Sequence, residues 1–163
     1  MQMQRLQRQE NLGLLIAAAR RRLKQAASEL ARPYHLSPQR FWLLLGISDR
    51  EGLSLRELAA QHRIDEPTAS RIVAGLVQRG LVRVTDDPED RRRARLLLTE
   101  AGAKLAGQFR PLADGLREAT VEGFSSAEQA LLAVSLRRVV DNVDRFVRER
   151  RQKAGRFSLE GNA

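Results

Sequence analysis

The chain has 163 residues, 42% of them hydrophobic and 30% charged, which is one domain's length with enough apolar chain to bury a core. Its formal net charge of +9 suits a polyanionic partner, because each neutralised phosphate releases a condensed counterion; lysine occurs only at Lys24, Lys104 and Lys153, so an arginine-rich composition accounts for part of that excess. The absence of cysteine excludes disulfides, thiolate metal sites and thiol switches, and no apolar run resembles a signal peptide or a membrane span, which makes the cytoplasm the expected location.

From Gln9 to Leu30, apolar residues recur at Leu12, Leu15, Ile16, Ala19, Leu23 and Ala26, the spacing of one helical face, and Pro33 ends that helix. Arg20-Arg21-Arg22 within it reads as a solvated face. Ser37-Pro38 opens a second helix, a cap followed by a proline whose missing amide costs nothing there. Phe41, Leu44 and Leu45 form its inward face as far as about Ser48, and Gly52 breaks the chain. Ser54 with Glu57 then makes a capping box for a short helix over Leu55–Gln61, with Leu53 and Leu58 at staple spacing. His62 to Ile64 is a polar turn, with His62 simply a turn residue. Asp65 caps a further helix ending near Arg79, and Gly80 stands where a left-handed residue is wanted. This pair of helices predicts a helix-turn-helix.

Leu81-Val82-Arg83-Val84 and Arg95-Leu96-Leu97-Leu98 are strand-like, and Asp86-Asp87-Pro88-Glu89-Asp90-Arg91-Arg92-Arg93 between them predicts a hairpin with a basic tip. Thr99 caps a long helix carrying Leu105, Phe109, Leu112 and Leu116, in which Pro111 marks a kink or bend and which Gly123 ends. A capping box of Ser125 and Glu128 opens the last helix, with Leu132, Leu136, Val139, Val143 and Phe146 spaced four, three, four, three. From about Arg151 periodicity ceases and mobility is expected. The fold class is therefore mainly α, a winged helix-turn-helix with a small β-hairpin wing.

These motifs resemble the MarR (multiple antibiotic resistance regulator) family of bacterial transcription factors. The resemblance is carried by Leu58-Ala59, Thr68, Ser70-Arg71-Ile72-Val73, Gly80-Leu81-Val82, Asp87-Pro88-Glu89-Asp90-Arg91-Arg92 and Leu98-Thr99-Glu100-Ala101-Gly102. It extends from about Asn11 to Arg150. It implies one domain over residues 1–163, with a DNA-binding lobe at 37–98 and a helical dimerisation region at 9–32 and 99–151, formed by the first and last two helices. The terminal helices carry more apolar stripe than a small lobe can cover, which periodicity alone leaves to either an intramolecular bundle or a second copy. The resemblance implies a homodimer on double-stranded DNA, and paired helix-turn-helix units reading half-sites about one DNA turn apart agree with it.

On the second helix of the motif, Ala69, Ile72, Val73, Leu76 and Val77 share one side. The opposite side shows Pro67, Thr68, Arg71, Ala74 and Gln78, with Ser70 and Gly75 at its edges. Arg71 is the leading candidate for reading bases, followed by Thr68, Ser70 and Gln78; Ser70 serves equally as a phosphate contact. Glu66, Pro67 and Gly75 depart from the family's residue types, so no contact is assigned to them. In the wing, the resemblance implies that Arg92 enters the minor groove while Asp90 braces the loop, and Arg91, Arg93 and Arg95 add attraction to phosphate.

Family members bind small aromatic or phenolic acids between the dimer helices and the DNA-binding lobe. Tyr34, His35, Arg40 and Trp42 have the chemistry for such an effector, and packing of the helix junction explains them equally well. His35 and His62, the only histidines, have no partner at metal-ligand spacing; no catalytic set, cofactor or metal site is read. Two functions follow. One is a dimeric transcriptional regulator, in the usual case a repressor, on an inverted-repeat operator. The other is a winged-helix protein-interaction module, which would not need a basic wing.

Overall fold

The computed structural model of the chain describes residues 11–88 and 93–160, with side chains described up to residue 152. Helix α1 (Leu12–Ala31) is followed by a single 3-10 turn (Arg32–Tyr34), then α2 (Pro38–Asp49), α3 (Leu55–His62) and α4 (Glu66–Gln78). Strands β1 (Val82–Asp86) and β2 (Ala94–Leu98) form an antiparallel hairpin, and α5 (Glu100–Thr120) and α6 (Ser126–Glu160) complete the chain. This is the expected winged helix. The chain divides into two compact units, Met1–Arg117 and Glu118–Ala163.

The helix starts are set by side-chain caps at the residues the local chemistry singles out. The Asn11 side chain accepts from the Gly13 amide, Ser37 from Arg40, Ser54 from Glu57 and Asp65 from Thr68. At Ser54 the capping box is complete, because the Glu57 carboxylate accepts from the Ser54 amide at 2.9 Å. Gly80 takes φ +66°, and the Gly80 and Leu81 amides donate to the carbonyls of Val77 and Leu76, closing the end of α4. The hairpin register pairs Val82 with Leu98 and Asp86 with Ala94.

In the first unit α2 is the central element. Phe41, Leu43, Leu44, Leu45, Gly46 and Ile47 are all buried, so it is enclosed on every side rather than along the single face its spacing suggested. It packs against α1, α3, α4 and β2. Phe41, Leu44, Ile47, Leu53, Leu58, Leu76, Val82 and Phe109 are fully buried, each side chain contributing about 1.5–3 kcal/mol by leaving water. A short bridge adds a third edge to the hairpin. The Gly52 amide donates to the Leu96 carbonyl and the Leu96 amide to Leu53, each at 2.9 Å.

The hairpin joins α5 through Thr99. Its hydroxyl donates to the Gly80 carbonyl at 2.6 Å and accepts from the Gly102 amide at 3.0 Å, while its own amide reaches the Leu81 carbonyl at 3.1 Å. Gly102 makes this possible, since a Cβ there would lie 1.9 Å from the Leu81 oxygen. The buried ridge of α5 in this unit is Gly102, Ala106, Phe109 and Ala113, so only Phe109 of the expected apolar stripe is fully enclosed; Leu105, Leu112 and Leu116 are half-buried. Small residues win because they let the helix approach closely. Helix α5 continues through Pro111.

In the second unit the Ser125–Glu128 box caps α6, with the Ser125 amide and hydroxyl 2.8 and 2.7 Å from the Glu128 carboxylate. Helix α6 continues to Glu160, past the point near Arg151 where periodicity ceases. Periodicity reports which face is buried, whereas a helix needs only compatible backbone propensities.

Candidate nucleic-acid interface

Helix α4 presents most of the expected polar side. Ser70, Arg71 and Gln78 are exposed and Thr68 is half-buried. The Arg71 side chain folds back along its own helix, its Nε 3.4 Å from the Pro67 carbonyl and a terminal nitrogen 3.3 Å from the Thr68 hydroxyl. Asp65 accepts the Thr68 amide at 2.7 Å, and this bond lowers the Asp65 pKa, with a weaker pull from Arg71. The half-buried Thr68 and the exposed Arg71 thus form one polar pair at the start of the helix, pre-set by the cap.

Two positions on α4 differ from the helical-wheel expectation. Val77 is 40% exposed rather than inward. Gly75 is buried rather than at the edge of the wet side, because the Arg40 guanidinium of α2 lies over it. A Cβ at 75 would stand 2.4 Å from an Arg40 nitrogen, so glycine here makes room for a cation behind the helix.

The hairpin root is braced internally. Asp87 is 5% exposed, its amide donates to the Arg93 carbonyl at 2.8 Å, and its carboxylate pairs with Arg95 at 2.9 Å. Arg93 pairs with Glu57 of α3 at 3.2 Å, and Glu57 also holds Arg50 at 3.0 Å. Arg93 and Arg95 therefore each have a carboxylate partner beside whatever they offer to phosphate. Asp90, Arg91 and Arg92 lie outside the described residues. Among the described residues Asp87 braces the wing, a role sequence reasoning did not assign; its signal was a carboxylate directly before Pro88 at a strand end.

Hydrogen bonds from the Ser54 backbone and hydroxyl, aided by Arg50 and Arg93, hold the Glu57 carboxyl down at about 2. His62 is not a plain turn residue. It closes α3 half-buried, its Nε2 sealed from solvent without a hydrogen-bond partner against Gly46, where a Cβ would meet that nitrogen at 2.2 Å. Burial lowers its pKa, opposed by Asp49. The following residue, Arg63, takes the left-handed conformation that turns the chain into α4.

The four effector candidates lie in and just after the α1–α2 link. Tyr34 packs edge-on against Phe109, with ring centroids 4.7 Å apart, and Trp42 edge-on against Phe41 at 4.9 Å. Phe41 and Phe109 join the two into one aromatic row. His35 is exposed at φ +53°, and Arg79, directly after α4, donates to the carbonyls of Tyr34 and His35. With Arg40 of α2 against Gly75, the link and the first turn of α2 each meet α4 or the residue that follows it. Among the described residues no cluster of three His, Cys, Asp or Glu is placed to hold a metal, and no helix is long and apolar enough to cross a membrane.

A family model described as MarR family matches residues 35–93, the segment that includes α2, α3, α4 and β1. The chain is 29% identical over 133 residues to the HTH-type transcriptional repressor NicR of Pseudomonas putida, covering 82% of this chain and 84% of that protein. A MarR mutant from E. coli solved in complex with operator DNA superposes with a TM-score of 0.67 at 25% identity, over 78% of this chain and 92% of that one. The chain is thus similar to MarR-family regulators in sequence and in fold. The structure of Bordetella bronchiseptica BpsR, whose DNA binding is regulated by 6-hydroxynicotinic acid, matches with a TM-score of 0.70 at 26% identity, over 83% of this chain and 97% of that one.

Proposed function

We propose that the chain is a cytoplasmic, homodimeric repressor that reads an inverted-repeat operator with α4 and the wing. The observation that carries this reading is the Thr68–Arg71 pair on a capped helix beside a braced basic hairpin. An arginine on such a face forks onto guanine O6 and N7 in the major groove. Ser70 and Gln78 extend the contact along the helix. Arg91, Arg93 and Arg95 attract backbone phosphate, while Arg92 reaches the minor groove with Asp90 bracing the tip.

Dimerisation is supported by apolar side chains that a single chain leaves uncovered. Leu12, Leu14, Leu15 and Leu23 of α1 are exposed, as are Leu132, Leu136, Val143 and Phe146 of α6. Apolar surface on this scale marks an interaction face. Residues 9–32 and 99–151 form the dimer region and 37–98 the reading lobe.

An aromatic acid is the effector class that fits best. Its carboxylate would meet Arg40, and its ring would lie against Tyr34, His35 and Trp42. Because Arg79 ties the link to the end of α4 and Arg40 ties α2 to Gly75, displacement there moves the reading helix, and repression is relieved. Selection of bound duplexes from a random DNA pool tests the core of the reading. The expected winner is an inverted repeat with half-sites about one helical turn apart. Arg71→Ala should relax one base position by about 1–3 kcal/mol. Unchanged base preference in that variant would remove Arg71 from the reading set, and no binding at low salt would leave a protein-docking module as the function.

A further inference from the structure

Glu57 carries a charge that a capping box can do without. At the third position of a helix, a glutamine satisfies a capping box as well as a glutamate does. Yet this carboxylate also reaches two guanidinium groups from other elements: Arg50, which caps the end of α2, and Arg93, at the root of the wing. It is held in place for that purpose, since the Ser54 amide and hydroxyl fix one oxygen at 2.9 and 2.7 Å. Both arginine side chains remain open to solution, 68% and 51% exposed, so a phosphate can reach either one. Exposed ion pairs add little to stability, which leaves the placement and partial neutralisation of two cations as the consequence of the charge.

We propose that Glu57 is a built-in counterion that tempers sequence-independent DNA affinity by holding Arg50 and Arg93 against phosphate competition. This rests on the DNA-binding function proposed above. Non-specific binding consists of phosphate contacts, each adding about 0.9 to the slope of log affinity against log salt. A carboxylate already paired with Arg93, a candidate phosphate contact, and with the equally open Arg50 lowers that count, so base contacts carry a larger share of operator binding.

The test is Glu57→Gln in the full chain, titrated onto a non-operator duplex between 50 and 200 mM salt. The variant keeps the cap and folds, with a modest fall in its thermal midpoint because the Ser54 hydrogen bonds favour the charged form. The expected result is a slope steeper by up to about 1.8, two phosphates' worth, with binding at the lowest salt tightened about fivefold or more. In a background of Arg50→Gln with Arg93→Gln, Glu57→Gln should change nothing. An unaltered slope, or an effect that persists without the two arginines, overturns the inference, as does a Glu57→Gln chain that fails to fold, since the cap would then need the charge. If the wild-type chain itself binds no duplex at low salt, the function proposal has failed rather than the role of Glu57 within it.

Discussion

Gly102→Ala is the substitution whose outcome follows most directly from the geometry. In an exposed helix interior, glycine to alanine gains roughly 0.5–1 kcal/mol of helix propensity. Gly107 and Gly115 of α5 are such positions, with nothing within 4 Å of an added methyl group. At Gly102 the same methyl would lie 1.9 Å from the Leu81 carbonyl oxygen and 2.9 Å from its carbon. Ordinary contact between a carbon and a carbonyl oxygen needs about 3.3 Å, so α5 must retreat from the hairpin root by roughly 1.4 Å. That retreat stretches the Thr99 bonds to Gly80 and Leu81, now 2.6 and 3.1 Å. Two weakened bonds of about 1 kcal/mol each, with repacking around Ala106 and Phe109, outweigh the propensity gain and leave a net loss of about 2–3 kcal/mol. Urea unfolding followed by helical ellipticity, at one protein concentration, should show the midpoint falling by about 1 M in Gly102→Ala and rising slightly in Gly107→Ala. Equal or opposite shifts would refute the close approach of α5 to Leu81.

Stability should fall between pH 7 and pH 5. Burial lowers the pKa of His62 in the folded chain, so as pH drops through the ordinary imidazole value of 6.5 the unfolded chain takes up a proton that the folded one resists. The lowered carboxyl groups of Glu57, Asp65 and Glu128 contribute above their ordinary values of 3.8–4.5 and lose that contribution only below them. His62→Gln should therefore flatten the profile between pH 5 and 7; a profile as steep as wild type would show that His62 is not its source. Asp87→Asn should destabilise by about 1–2 kcal/mol, a figure reduced for the partial exposure of Arg95. It should also speed hydrogen exchange at the Asp87 amide, and unchanged exchange would mean the carboxylate does not brace the wing.

Much of the reading was available locally. Ser54, Asp65 and Ser125 cap helices because a hydroxyl or carboxylate beside an apolar run has free amides within reach, and that chemistry spans three residues. The hairpin and the polar Thr68–Arg71 side of α4 were legible for the same reason. Helix ends were less so, and α6 runs beyond the point where its periodicity stops.

What the residue order by itself determined was the succession of elements and the polar side of the reading helix, since caps, turns and helical periodicity act between near neighbours. Tertiary structure alone decided which charges meet: Arg40 over Gly75, Arg93 at Glu57, Arg95 at Asp87, and His62 sealed against Gly46. Three of those four contacts join separate helices or join a helix to the wing. The fourth, Arg95 with Asp87, closes across the hairpin, and its burial comes from the packing around it. Each exists only because α2, α3, α4 and β2 close on a shared apolar core, which brings together side chains that no local pattern connects.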